Sequence, residues 1–199
     1  MKIVIGIDYS ITSPAISVHV GDIWSNQNIR IFFLTQTKKY LKSEREFLVP
    51  NPYPLVKFRA NDDMANMERF CQLTKWSIKS IFSHSPQTNE WIPPTVFLEA
   101  YSYGSIGKHS QIAENTAILK RELLVNNIDW NVISPRSIKK FATGNGNATK
   151  LDMYNSFIAD TGVALAADYD KCNPQSSPIS DIVDSYFICK YGYCNGEKK

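Results

Sequence analysis

Two short apolar runs that each stop on a carboxylate constrain this chain most. Lys2-Ile3-Val4-Ile5-Gly6-Ile7 closes on Asp8, and Thr95-Val96-Phe97-Leu98 closes on Glu99. The first run is apolar at nearly every position, so a strand built from it needs cover on both faces. Residues 15–20 and 29–35 read as two further strands, the first of them set off by Ser13-Pro14. Their close connections imply that the first three strands form an antiparallel meander. The Glu99 run is then the fourth strand, and Asp129-Trp130-Asn131-Val132-Ile133 the fifth. The expectation is an α/β fold, a mixed five-stranded sheet with helices on both faces.

Helix signals fill the remaining length. Asp62-Asp63 opens a helix whose expected stripe is Met64, Met67, Cys71, Thr74, Ile78 and Ile81. A second runs from about Ser110 to Val125, with Ile112, Thr116, Leu119 and Leu123 on one face. Pro135 suits another helix start, and a last amphipathic segment follows Pro178. Residues 36–61 read as a variable surface excursion, carrying Lys38, Lys39, Lys42, Arg45 and three prolines. That basic content suits either a polyanion contact or a solvated loop.

The totals bound the function classes. A chain of 199 residues fits one domain, residues 1–199, better than two. Its net charge of +3 excludes a strongly basic nucleic-acid arm, so any such contact comes from a local patch. No apolar stretch approaches the roughly 20 residues that span a bilayer, so no membrane association is expected. Met1-Lys2 leads straight into a strand, so no signal peptide is expected and the chain should be cytoplasmic. Cys71, Cys172, Cys189 and Cys194 form no CxxC pair, and His19, His84 and His109 lie far from them. Reduced thiols, with Cys71 and Cys189 packed on helices, are expected in preference to a zinc site.

Asp181 and Asp184 stand i, i+3 at the start of the last helix and so face one side. Each acid has an ordinary reading by itself. Asp8 can end a strand, Glu99 can pair with a cation, and Asp181 and Asp184 can complement a helix dipole. Gathered in one small site, though, such carboxylates repel and need compensation. Hard oxygen ligands of this kind suit Mg²⁺, with Mn²⁺ as a substitute, and two such ions can clamp an in-line phosphodiester displacement.

The order of these acids resembles the RuvC-like branch of the RNase H-like nucleases. That order is Asp at the end of strand one, Glu at the end of strand four, and D-x-x-D on the last helix. A second match is the segment Ser134 to Lys150, where Lys139 precedes the Gly144-Asn145-Gly146 turn, followed by Ala148 and Lys150. The resemblance touches most of the chain, but residues 36–61 have no counterpart in it. It implies an RNase H-like fold and a Holliday junction resolvase that leaves 5′-phosphate and 3′-hydroxyl nicks. Asp8, Glu99, Asp181 and Asp184 would hold two metal ions per site, with Lys150 acting in catalysis. It also implies a homodimer on four-way DNA, joined through the helix near residues 110–125. Such a protein would work in a bacterial cell, or in the host cytoplasm if phage-encoded.

The residues add their own case for DNA contact. Lys139, Lys140 and Lys150 flank a glycine turn where chain and phosphate can come close. Tyr101 and Tyr103 follow Glu99 at a strand-like spacing that puts both rings on one face. They could stack on bases opened at a crossover, and the resemblance places an aromatic wedge in this loop.

Three alternatives share parts of this pattern. A transposase-type or packaging-type nuclease would carry the same acids and cut different DNA. A catalytically silent junction-binding protein would keep the fold alone. An actin-like or sugar-kinase ATPase also starts with a strand, an acid and a Ser/Thr turn. That architecture needs two such domains, and this chain is too short for them.

Overall fold

The computed structural model describes residues 1–42, 45–52, 62–83, 92–100, 109–169 and 172–196. In chain order the strands are β1 (Ile3–Asp8), β2 (Ala15–Val20), β3 (Ile29–Thr35), β4 (Leu48–Pro52), β5 (Thr95–Glu99) and β6 (Trp130–Ile133). The helices are α1 (Asp63–Phe82), α2 (His109–Val125), α3 (Pro135–Thr143), α4 (Lys150–Thr161) and α5 (Ile179–Asn195). The strands form one sheet in the order β4-β3-β2-β1-β5-β6. β1, β2 and β3 are the antiparallel meander that the sequence implies, and β5 and β6 add in parallel beside β1.

The sheet has six strands among the described residues, not five. β4 lies inside the excursion at 36–61 and pairs in parallel with β3, Ile31 opposite Leu48 and Thr35 opposite Pro52. Pro50 and Pro52 hid it, because proline cannot donate to a ladder. Proline is tolerated at the border of a sheet, which is where β4 sits.

Period-2 alternation sorts the sheet residues between two cores. Ile3, Ile5, Ile7, Ile16, Val18, Val96 and Leu98 face α1 and α2, where Leu73, Leu119 and Leu123 meet them. Val4, Ala15, Ile31, Phe33 and Phe97 face α5 and α4. On that second side α5 lies against the backbone of β1. A Cβ added to Gly6 would stand 2.2 Å from the Cys189 amide nitrogen, and one added to Gly192 would stand 2.2 Å from the Phe97 ring. Both glycines are set by close approach and not by a turn.

The stripe of α1 differs from the one expected. Its buried face is Asn66, Arg69, Phe70, Leu73, Thr74, Ser77, Ser80 and Ile81. Met64 is 83% exposed and Met67 43%, and Cys71 is exposed instead of packed. Polar residues on the buried face misdirect a hydropathy reading. They are buried with partners. The Arg69 guanidinium donates to the Ile11 carbonyl, and the Thr74 hydroxyl meets the Tyr9 hydroxyl at 3.0 Å. Cys189 is buried as expected, and its thiol donates to the Val4 carbonyl at 3.3 Å.

Candidate active site

Topology brings the acids to one edge. β1 and β5 are parallel with Ile7 opposite Leu98, so Asp8 and Glu99 end side by side. Alternation then places both on the α5 face, since Val4, Gly6 and Asp8 share a side, as do Phe97 and Glu99. The register of α5 is fixed one turn further along. The Ser185 hydroxyl meets the Ser17 hydroxyl at 2.8 Å, and Gly6 lies under Cys189 and Ser185. Asp181, one turn before Ser185, and Asp184, immediately before it, both lie close enough to Asp8 to act on its charge.

The electrostatics report one shared site. Burial holds the Asp8 carboxyl well above the carboxylate range, and the charges of Asp181, Glu99 and Asp184 raise it further. Burial and then Asp184 push Glu99 up to about 7. Burial and then Asp181 push Asp184 up to about 6. Asp181, only 7% exposed, is also raised by burial, but hydrogen bonds oppose the shift. Ser13 donates to its Oδ2 at 2.6 Å and Ser180 to its Oδ1 at 3.3 Å, and the Ser177 hydroxyl acts in the same sense. These serines escaped the sequence reading. For Ser177 and Ser180 the signal was the Ser-rich approach to Asp181, Ser176-Ser177-Pro178-Ile179-Ser180.

Two lysines supply the opposing charge. Lys150 acts on all four acids and Lys139 on Glu99 and Asp184. The glycine turn explains how Lys150 gets there. Gly144 ends α3 in the left-handed region at φ 80°, and Thr149 starts α4 with a reciprocal capping box to Asp152. Lys150 is thereby the first residue of α4, and its ammonium donates to the Ser180 hydroxyl at 3.3 Å. Gly146 packs against the Arg136 side chain, where a Cβ would come within 2.7 Å. Lys140 is exposed, about 100° further round α3 than Lys139. Tyr101 and Tyr103, with Gly104 and Gly107, lie outside the described residues.

Beside Asp181 a groove of about 460 Å³ opens between the β1–β2 connection and the end of β3. Thr12, Ser13, Thr35, Gln36, Thr37 and Ser177 line it with hydroxyls and an amide, and Arg69 adds a guanidinium. Lys38 and Lys39 follow Thr37 in the chain, while Arg45 is engaged with Asp168 by a two-pronged ion pair.

The donor set fits a hard divalent cation: carboxylate oxygens only, partly desolvated and mutually repelling. Among the described residues no group of three or more His, Cys, Asp or Glu side chains stands in an arrangement that would hold a metal ion. The acids are close enough for their charges to raise one another.

No family model matches the sequence, and no curated protein matches it. Solved structures do match in fold. Thermus thermophilus RuvC superposes with a TM-score of 0.59 at 14% identity, over 98% of this chain and 96% of that one. The same protein in complex with a Holliday junction substrate gives 0.56 at 14% identity, covering 94% and 92%. The yeast mitochondrial Holliday junction resolvase Ydc2 gives 0.57 at 13% identity, covering 96% and 78%.

Proposed function

We propose that this chain is a metal-dependent, RNase H-like endonuclease that resolves four-way DNA junctions, working as a single nuclease domain. The observation that carries the proposal is the set of four acids at one sheet edge, Asp181 buried and the other three half-buried, each raised above its ordinary range and countered by Lys150, with Lys139 acting on Glu99 and Asp184. The likeness of the fold to junction resolvases supports the choice of substrate.

Asp8, Glu99, Asp181 and Asp184 would hold two Mg²⁺ or Mn²⁺ ions. When bound, these supply an activated water and stabilise the leaving 3′ oxygen, leaving 5′-phosphate and 3′-hydroxyl ends. Lys150, tethered through Ser180, places a positive charge beside the scissile phosphate and offsets charge developing there. Lys139 does the same from the Glu99 side, and Lys140 grips a more distant phosphate. The groove offers hydroxyl and amide donors to the strand on the Asp181 side, beside the Arg69 guanidinium. Tyr101 and Tyr103 are assigned the stacking role at the opened crossover.

Paired nicks call for a twofold dimer with two sites. The expected contact face of α2 is not available for it, because Leu119 and Leu123 are fully buried in the chain's own core. The exposed Leu124 and Val125 on the same helix are the candidates instead. Light scattering should give twice 22.6 kDa.

The test is cleavage of labelled four-way, three-way, flap and linear DNA, with Mg²⁺ and with EDTA. Symmetric cuts confined to the four-way junction and abolished by EDTA are expected. Cutting of linear DNA at equal rate would assign a different nuclease, and tight junction binding with no cut would assign the silent binding protein.

A further inference from the structure

The connection between β1 and β2 crosses from one face of the sheet to the other, and it is held at both ends. On the α1 side, the Arg69 Nε and Nη2 donate to the Ile11 carbonyl at 3.0 and 2.7 Å, with Arg69 only 2% exposed. Tyr9, at the start of the connection, meets Thr74 of the same helix at 3.0 Å. Within the connection the Ser13 amide donates to the Ser10 hydroxyl at 2.9 Å, which turns the chain back on itself. On the α5 side, Ser13, 8% exposed, donates its hydroxyl to Asp181 Oδ2 at 2.6 Å.

From this geometry we infer that Ser13 is a positioning residue for the metal site, with Arg69 as its anchor. The inference rests on the nuclease reading of the four acids and goes beyond it. Asp181 sits on a helix and Asp8 on a strand, and the backbone alone does not fix the direction of either carboxylate. Ser13 ties one to the segment that continues directly from the other. A short hydroxyl-to-carboxylate bond favours the ionised form and fixes one oxygen, so each oxygen keeps a lone pair for a cation. Ser13 does this for Oδ2 at 2.6 Å, whereas the Ser180 contact to Oδ1 is longer, at 3.3 Å. Buried and held by α1, Ser13 holds its rotamer without help from substrate. Hydrogen-bonding partners of metal ligands contribute about 10- to 100-fold in affinity or activity.

The experiment measures Mn²⁺ binding by electron paramagnetic resonance on the full chain without DNA, with near-ultraviolet circular dichroism as the check on folding. Ser13→Ala should weaken Mn²⁺ binding about 10-fold, and Ser13→Thr, which keeps the hydroxyl, should restore most of it. In an Asp181→Asn background, Ser13→Ala should add nothing further, because the bond has lost its anionic partner. A Ser13→Ala protein with lowered thermal stability and unchanged Mn²⁺ affinity would overturn the assignment, leaving Ser13 merely structural. Should Ser13→Ala fail to fold, additive loss in Ser13→Thr combined with Asp181→Asn would overturn it equally. Wild-type protein that neither binds Mn²⁺ nor cuts junctions would instead remove the nuclease reading. Wild type that binds and cuts, with Ser13→Ala equal to it, removes this inference alone.

Discussion

The two faces of the sheet are built on opposite principles. On the α1/α2 face, large aliphatic side chains fill the space: Ile3, Ile5 and Ile7 from β1 meet Leu73, Leu119 and Leu123. On the α5 face the contact over β1 is made by backbone, with Gly6 beneath Cys189 and Ser17 bonded to Ser185. Bulk on one side supplies stability and tolerates repacking. Closeness on the other supplies position, and it is the side that carries the acids. Burying carboxylates that repel one another costs folding free energy, and the apolar cores on both faces offset that cost, the α1/α2 core without touching the acids.

The largest expected effect separates the faces by function. Asp184→Asn should reduce junction cleavage by about a thousandfold or more while raising the melting temperature of metal-free protein at pH 8, since one repelling charge is gone. Leu119→Ala on the other face should do the reverse. It should cost about 2–5 kcal/mol of stability through its cavity and leave the cleavage rate per folded molecule unchanged. Cleavage assays and thermal unfolding on both variants check this. An Asp184→Asn protein that cuts normally would dissolve the distinction.

The next effect tests closeness directly. Gly6→Ala places a methyl group where 2.2 Å separates it from the backbone nitrogen of Cys189, and a backbone cannot rotate away as a side chain can. A loss of about 3 kcal/mol is expected, together with weaker metal binding as α5 is lifted. Ile5→Val, one residue away and facing the aliphatic core, should cost only about 1 kcal/mol. Denaturant unfolding compares them, and equal costs would mean that α5 has more slack than this packing allows.

Much of this was legible in the sequence, and for specific reasons. β1 and β5 announced themselves by nearly unbroken apolar runs, whereas β2, β3 and β6 were legible from β-branched and aromatic residues interrupted by single polar ones. The meeting of Asp8 and Glu99 followed from where those runs stop. β4 was illegible because its prolines speak against a strand unless its border position is known. The α1 stripe was misread because Arg69, Asn66 and Ser77 are buried for their hydrogen-bonding partners and not for their hydropathy. Ser177 and Ser180 stand in the Ser-rich approach to Asp181, but Ser13 carried no signal, because only tertiary folding brings it to residue 181.

A third prediction uses pH. Glu99 and Asp184 titrate near 7 and 6 in the folded protein, above their ordinary values of 4.5 and 3.8. Between those limits the folded state holds more protons than the unfolded one, so stability falls as pH rises through the window. Metal-free protein should therefore melt at a higher temperature at pH 5 than at pH 8, its stability differing by on the order of a few kcal/mol. Mg²⁺ needs the ionised acids, so adding it should raise the pH 8 value most. Leu119→Ala should lower the whole curve without changing its slope, whereas Asp184→Asn should flatten it. A melting temperature that rises from pH 5 to pH 8 without metal would place the acids in an ordinary solvated setting.

The smallest expected effect asks whether the two faces differ even in one hydrogen bond. Each has a buried hydroxyl pair, Ser17 with Ser185 at 2.8 Å on the α5 face and Tyr9 with Thr74 at 3.0 Å on the α1 face. A single such bond contributes about 1 kcal/mol net. Ser185 also donates to the Ile182 carbonyl at 2.9 Å, so removing Ser17 leaves its hydroxyl satisfied. Ser17→Ala should accordingly cost less than about 1 kcal/mol in stability. Its effect should appear instead in position, as a weakening of Mn²⁺ binding, because this bond sets the register of α5 one turn from Asp181. Tyr9→Phe should show the opposite balance, a stability loss of about 1 kcal/mol with a smaller change in Mn²⁺ affinity, since Arg69 still holds the connection to Ser13. Unfolding curves and Mn²⁺ titrations on the two variants decide it. If Tyr9→Phe disturbs metal binding more than Ser17→Ala, positional control of the site runs mainly through α1, and the aliphatic face does more than supply stability.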